Sequence, residues 1–197
     1  MGRPLQIKEE QVVDTAMNLF WEKGFSQTST RDIIKNTGIS NGSFFNSFED
    51  KSNLYLTCLV RYREIYMSKL EDMLIEEEPF IDKLRKILLY VVRKEKGKNS
   101  YIGCFHFNTV LDETIQDREI QLLSDEISRS IGTMFKKAIQ KAIKNKEFKK
   151  TIHAENLTQY ILTLISGLRV LLRTEPDKQI VSNIIETTIQ SVSTFQK

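Results

Sequence analysis

The stretch of residues 28–51 reads TSTRDIIKNTGISNGSFFNSFEDK. Ser29 and Asp32 have the spacing of a capping box, which marks the start of a helix. Gly38 then ends that helix, and Ser40 stands where it can cap a second short helix. Two short helices joined by a glycine turn are typical of a helix-turn-helix, which places its second helix in the major groove of DNA. This stretch therefore predicts a DNA-binding unit.

The rest of the chain also has the pattern of helices. Only three Pro and eight Gly occur in 197 residues, and apolar residues recur at the three- and four-residue spacing of amphipathic helices. We therefore expect an all-α fold of nine helices without strands. The predicted helices cover residues 8–23, 29–37, 41–48, about 50 to the acidic run 76–78, 80–96, 103–114, 117–146, 154–173 and 177–193.

The predicted DNA-binding segment carries little positive charge. Residues 1–53 hold six Lys or Arg and seven Asp or Glu, which gives a formal charge of −1, whereas the whole chain has +3. The broad basic footprint of many nucleic-acid-binding domains is therefore missing. If this segment binds DNA, a few placed cations and the backbone amides of helix N-termini have to supply the phosphate contacts.

Several classes of protein are disfavoured. Cys58, Cys104, His106 and His153 have no metal-ligand spacing, so we expect free thiols, no metal and no cofactor. No nucleophile–base pair or glycine-rich phosphate loop is visible, which argues against an enzyme. No apolar run is long enough to span a membrane and no signal-type stretch opens the chain, so we expect a cytoplasmic protein.

Over about residues 3–60 the chain resembles the TetR (tetracycline repressor) family. The matching motifs are Gly2-Arg3-Pro4, Leu19-Phe20, Lys23-Gly24-Phe25, Thr28-Ser29, Arg31-Asp32-Ile33, Thr37-Gly38-Ile39-Ser40, Gly42-Ser43, Phe48, Asp50-Lys51 and Leu54. Gly103-Cys104-Phe105 also resembles a segment of one branch of that family.

The resemblance implies a homodimer of all-helical subunits. Each subunit would have an N-terminal helix-turn-helix DNA-binding domain, residues 1–50, and a C-terminal ligand-binding and dimerisation domain, residues 51–197. It further implies a transcriptional regulator of the repressor type, which binds double-stranded operator DNA and is released by a small-molecule effector.

The candidate DNA contacts lie around the second helix of the motif. Small or polar residues at its start let the backbone approach the base edges, and Asn41 and Asn46 can each pair with adenine. Lys51 and Arg31 are expected to bind phosphates. The complete candidate set is Arg31, Ser40, Asn41, Gly42, Ser43, Phe45, Asn46 and Lys51. The alternative is that the Asn and Ser residues only cap and end a short helix.

Two positions depart from the family pattern. Phe45 stands where the family usually has a Tyr that contacts phosphate, and Asn41 stands where many members have Arg or Lys. Together with the low charge, these departures leave a second interpretation open. The chain would then be a helical dimeric interaction or sensor protein whose DNA binding is weak or lost.

The last two predicted helices are apolar over wide arcs, which predicts a four-helix interface between two subunits. The alternative is a monomer that buries both faces internally. Candidate ligand-lining residues are Phe80, Leu84, Leu88, Cys104, Phe107, Leu111, Met134 and Tyr160. Because these faces carry no obvious charge, they favour an apolar ligand; core packing is the alternative for each residue.

Cys104 is also a candidate sensor of oxidants or electrophiles. It stands near a predicted helix start and follows Lys96 and Lys98, and both surroundings lower the pKa of a thiol. The alternative is a small buried residue.

Overall fold

The computed structural model describes residues 8–94, 101 and 103–196. These residues form nine α-helices and no β-strand, which confirms the predicted fold class. The helices are α1 (Glu9–Lys23), α2 (Thr30–Thr37), α3 (Asn41–Phe48), α4 (Lys51–Ile75), α5 (Phe80–Val91), α6 (Phe105–Leu111), α7 (Arg118–Lys144), α8 (Ala154–Leu172) and α9 (Lys178–Ser193). The Gly-Arg-Pro opening, Lys96 and Lys98 lie outside the described residues.

Two helices are shorter than the sequence pattern predicts. Helix α5 ends at Val91 rather than near residue 96, and its end coincides with two consecutive β-branched valines, which restrict side-chain rotamers in a helix. Helix α6 ends at Leu111 because Asp112 is extended and its carboxylate accepts a hydrogen bond from the backbone N–H of Thr114 at 3.0 Å. Such a local turn competes with the helix for the backbone donors.

The chain packs as two compact units. The first consists of the described residues of Met1–Ile65 together with Cys104–Ile127, and the second consists of those of Tyr66–Gly103 together with Ser128–Lys197. These units are defined by packing. The predicted DNA-binding domain, residues 1–50, and ligand-binding and dimerisation domain, residues 51–197, are defined by function instead. That division stays a prediction.

The core of the first unit is rich in aromatic rings. Helix α1 buries the apolar stripe that the sequence predicts, including Phe20 and Trp21. The Phe20 ring lies edge-on to Tyr55 with 4.9 Å between centroids, and Tyr55 contacts Phe105 at 5.1 Å. The sequence predicts that Phe25 folds back on Phe20 after the end of α1. The two rings stack with 6.2 Å between their centroids, which confirms this contact. These rings pack α1, α4 and α6 together in the first unit.

The second unit has an aliphatic core. Buried residues of α4, α5, α7, α8 and α9 form one hydrophobic cluster, in which Leu84 and Ile139 are fully buried. The cluster therefore joins helices from distant parts of the sequence, from Leu74 on α4 to Val192 on α9. Among the described residues, no helix is long and apolar enough to cross a bilayer.

Candidate nucleic-acid interface

The start of α2 is fixed by two reciprocal hydrogen bonds. The Ser29 hydroxyl oxygen accepts from the Asp32 backbone N–H, and the Asp32 carboxylate accepts from the Ser29 backbone N–H, each at 3.1 Å. The predicted capping box is therefore confirmed. The Ser29 hydroxyl also donates to the Asp32 carboxylate at 2.6 Å. This bond, together with the one from the Ser29 backbone N–H, stabilises the charged carboxylate and lowers the pKa of Asp32 below its usual value.

The turn between α2 and α3 depends on Gly38. Its backbone adopts the left-handed conformation, with φ 73° and ψ 4°, and its N–H donates to the Ile34 carbonyl at 2.9 Å. A residue with a Cβ is disfavoured in this conformation. The sequence pattern also predicts a left-handed cap at Gly24 after α1. That prediction is wrong, because Gly24 combines a positive φ of 88° with an extended ψ of 166°.

Helix α3 begins at the predicted residue and has two different faces. The Ser40 hydroxyl oxygen caps it by accepting from the Ser43 backbone N–H at 3.1 Å. Phe44 is fully buried and Phe48 is 4% exposed, so these two rings hold the helix against the first unit. The remaining predicted contact residues of the helix are all exposed, namely Asn41, Gly42, Ser43, Phe45 and Asn46.

The exposed face of α3 is sterically open. Apart from its chain neighbours and the backbone of its own helix, a Cβ added at Gly42 would meet no atom within 4 Å. Phe45 is 47% exposed, so its ring is accessible on the same face. Because the groups on this face take no part in the core, they are available to an external molecule.

Lys51 has an internal partner that the sequence does not reveal. Its ammonium donates a hydrogen bond to the Phe25 carbonyl at 3.0 Å and lies 4.1 Å from the centroid of the Phe25 ring. It therefore joins the start of α4 to the segment after α1. An ammonium has three donors, so this contact leaves capacity for a phosphate. Arg31 is exposed on α2. The phosphate contacts expected of Lys51 and Arg31 stay predictions.

The eight candidate ligand residues are not all placed together. Phe80, Leu84 and Leu88 belong to the hydrophobic core of the second unit, and Met134 packs against it. Tyr160 of the same unit is 39% exposed and shares a hydrogen bond with the Ser191 hydroxyl at 2.8 Å. The other three candidates belong to the first unit, where Leu111 is 59% exposed; the three are Cys104, Phe107 and Leu111.

Two cavities of the second unit indicate where small molecules fit. One, of about 330 Å³, is bordered by Phe80 together with polar residues that include Lys83 and Glu147. The other, of about 620 Å³, lies among α5, α8 and α9, and none of the eight predicted ligand residues borders it. Sequence patterns missed this second cavity because its walls come from segments that are far apart in the sequence.

Both cysteines are free, as the sequence predicts, and both are buried. Cys104 is the N-cap residue of α6, and its sulfur lies 2.9 Å from the Tyr62 hydroxyl. Cys58 is fully buried next to the carbonyl of Val13, and this burial raises the pKa of its thiol. The two thiols therefore have different surroundings, and only Cys104 has a hydroxyl partner among the contacts described.

The sequence is similar to that of known bacterial regulators. Residues 12–58 match the family model for bacterial regulatory proteins of the tetR family. The HTH-type transcriptional repressor ComR of Escherichia coli is 23% identical over 194 residues, which is 96% of this chain and 90% of the relative. The HTH-type transcriptional repressor BdcR of Escherichia coli is 27% identical over 119 residues, or 60% of each chain.

Solved structures share the fold. A TetR-family regulator from Cytophaga hutchinsonii superposes with a TM-score of 0.83 at 17% identity, covering 95% of this chain and 94% of that one. A cysteine mutant of the TetR-family regulator CifR, in complex with 26-base-pair operator DNA, has a TM-score of 0.79 at 17% identity and covers 96% and 98%. The helical architecture is thus common to this chain and to those proteins.

Proposed function

We propose a function on the basis that this chain belongs to the TetR family of bacterial regulatory proteins. It is a ligand-responsive, DNA-binding transcriptional regulator, and it represses its target genes until a small molecule releases it from the operator. Residues 1–50 bind the DNA, and residues 51–197 bind the effector and the second subunit.

The exposed polar face of α3 is the observation that carries this proposal. Asn41, Ser43 and Asn46 are exposed beside the open position of Gly42. In a helix-turn-helix, the N-terminal residues of the second helix contact base edges. Asn suits adenine, whose N6 and N7 groups it can pair bidentately. The face thus has the polar groups and the free space that base contacts need.

The homodimer is argued from the surface of α8 and α9. Val170 is 53% exposed and Ile180 is 49% exposed, and a Cβ added at Gly167 would meet no atom within 4 Å. Exposed apolar side chains favour burial against a second copy, and the absence of a side chain at Gly167 allows a helix of that copy to approach closely. Two subunits engage two half-sites, which compensates for the low positive charge of each DNA-binding segment.

The effector acts only if it binds the DNA-incompetent conformation better than the DNA-bound one. An apolar molecule in the second unit is one route to such a preference. Modification of Cys104 by an electrophile is another, because added bulk beside the Tyr62 hydroxyl would disturb the packed core of the first unit.

Binding to the DNA that flanks its own gene tests the proposal. We expect a specific shift in gel electrophoresis whose affinity falls as the salt concentration rises, because phosphate contacts release counterions. Asn41→Ala should weaken specific binding by about 1–3 kcal/mol, as expected for loss of a bidentate base contact. Asn18→Ala, on the exposed side of α1, is the matched control. Absent or salt-independent binding would favour an interaction protein that has lost DNA binding.

A further inference from the structure

An aromatic ring stands among the polar groups on the exposed face of α3. Phe45 lies four residues after Asn41 and three residues after Gly42, so its side chain neighbours both positions on the helix surface. Gly42 has no side chain that could cover the ring, and the space beside it is open. The ring therefore belongs to the same exposed surface as Asn41 and Asn46, the proposed base contacts.

The orientation of the Phe45 ring is supported by the core beneath it. Its plane stands at 88° to the ring of Phe44, with 5.2 Å between the two centroids, which is an edge-to-face geometry that aromatic pairs favour. Phe44 is fully buried and packs in turn against Phe48, with 5.9 Å between centroids. Phe45 thus presents a large apolar group in a defined orientation, so that its contact with another molecule would cost little side-chain entropy.

The major groove of DNA offers such a ring one complementary group. Adenine, guanine and cytosine present hydrogen-bond donors and acceptors there, whereas thymine presents a C5-methyl group beside its acceptor. A phenyl ring has no hydrogen-bonding group of this kind, so packing it on a polar base edge would remove water from that edge without replacing the lost hydrogen bonds. Packing it on the methyl group buries apolar surface of both partners. The ring therefore favours thymine.

We propose that Phe45 contacts the C5-methyl group of a thymine in the major groove, and that the operator preference of this protein depends on that methyl group. The inference rests on the proposed function, because it requires α3 to enter the groove of operator DNA. It adds a specificity-determining contact that uses neither charge nor a hydrogen bond. Such a contact distinguishes bases without neutralising phosphates, which suits a DNA-binding segment with few positive charges.

Removal of single methyl groups from the operator tests the contact with the unmodified protein. In each duplex of a series, one thymine is replaced by uracil, which lacks the C5-methyl group and keeps the same hydrogen-bonding groups. We expect at least one replacement in a half-site to lower the affinity, measured by fluorescence anisotropy, about fourfold, the factor that corresponds to burial of one methylene-sized group. Unchanged affinity across the whole series would overturn the proposal.

Phe45→Ala tests whether Phe45 is the residue that contacts the methyl group. The variant should bind the sensitive uracil operator and the thymine operator with equal affinity, because it has no ring for the methyl group to pack against. The matched control is Leu122→Ala, which removes an apolar side chain of the same 47% exposure from α7 and should keep the fourfold dependence of about one methyl group. A methyl effect of the same size in Phe45→Ala as in the unmodified protein would assign the contact to another residue and overturn the proposal.

Cytosine operators separate the methyl group from the hydrogen-bonding pattern of thymine. Replacing the sensitive T·A pair by C·G exchanges an acceptor in the groove for a donor. 5-Methylcytosine restores the methyl group at the same ring position without restoring the acceptor. We expect the unmodified protein to bind the 5-methylcytosine operator about fourfold more tightly than the cytosine operator, and Phe45→Ala to bind the two equally. Equal binding of both operators by the unmodified protein would contradict the proposal.

Operator binding distinguishes failure of this inference from failure of the proposed function. If Phe45→Ala weakens binding to all operators by one factor and no methyl group matters, the ring packs on the sugar–phosphate backbone and the inference fails. If Phe45→Ala binds every operator as the unmodified protein does, the ring lies outside the DNA contact and the inference also fails. Both results leave the proposed regulator function intact. Absence of operator binding by the unmodified protein would instead reject the proposed function, and this inference with it.

Discussion

Lys51 combines two kinds of contact at a single residue. Its ammonium is hydrogen-bonded to the Phe25 carbonyl and lies over the Phe25 ring. A sequence match to a DNA-binding family draws attention only to its charge. The structure adds that this charge also holds the segment after α1 against the start of α4. Lys51 therefore contributes to the folded shape of the interface as well as to its positive electrostatic potential.

Replacing Lys51 by Met should separate these contributions. The change removes the hydrogen bond and the cation–π contact, and we expect the free energy of unfolding to fall by about 1 kcal/mol. Urea denaturation followed by circular dichroism measures this. Lys35→Met, at an exposed position of α2, is the control for loss of charge alone. Unchanged stability together with weakened DNA binding would mean that Lys51 acts only on phosphate.

The two cysteines should differ in their response to electrophiles. Burial raises the pKa of Cys58, so its reactive thiolate form is disfavoured in the folded protein. If modification of Cys104 releases the protein from DNA, Cys104→Ser should abolish release by N-ethylmaleimide and Cys58→Ser should not. Gel-shift titration with the reagent measures both. Release of the Cys104→Ser protein at the same reagent concentration as the unmodified protein would exclude Cys104 as the sensor.

Among the secondary-structure elements, the helix-turn-helix could be predicted almost residue by residue. Its signals are local, because the Ser29–Asp32 capping box, the left-handed Gly38 and the Ser40 cap each act within four residues of the chain. The ends of α5 and α6 could not be predicted in the same way. Apolar spacing continues beyond Val91, and the turn at Asp112 competes with a helix that the pattern alone would extend.

Substituting the two glycines of the helix-turn-helix by Ala should have different effects on stability. Gly38→Ala should destabilise the protein by about 1 kcal/mol, because Cβ is strained in the left-handed conformation. Gly42→Ala should leave stability unchanged or slightly raised, because Ala favours a helix and the added Cβ meets no other atom. It should nevertheless weaken operator binding, since the Cβ stands on the face that approaches DNA. Thermal unfolding and fluorescence anisotropy measure the two effects. Full operator affinity in Gly42→Ala would place the DNA elsewhere.

Across the molecule as a whole, the ligand region is the least predictable part. Helical spacing identifies Phe80, Leu84 and Leu88 as inward-facing, and they are buried. Spacing cannot distinguish a core position from a cavity wall, because both are apolar and face inward. The cavity of about 620 Å³ combines the ends of α5 and α8 with the start of α9, and only the folded chain makes these segments neighbours.

The proposed dimer can be tested on the exposed apolar face of α8. Val170→Asp places a charge there and should convert a dimer to monomers, because a charge at the centre of an apolar interface is costly to desolvate. Operator affinity should fall at least about tenfold as two-site engagement is lost. Sedimentation velocity and anisotropy measure the two changes. Ile75→Asp, at a position 63% exposed at the end of α4, is the control; a monomeric unmodified protein would contradict the proposal.

The division of α3 into a buried and an exposed face has an evolutionary consequence. Phe44 and Phe48 hold the helix in place, whereas Asn41, Gly42 and Asn46 take no part in the core. Mutations on the exposed face can therefore accumulate with little effect on folding. The set of genes under control can change while the scaffold is inherited intact, so descendants of this protein are free to diverge in their targets before they diverge in stability.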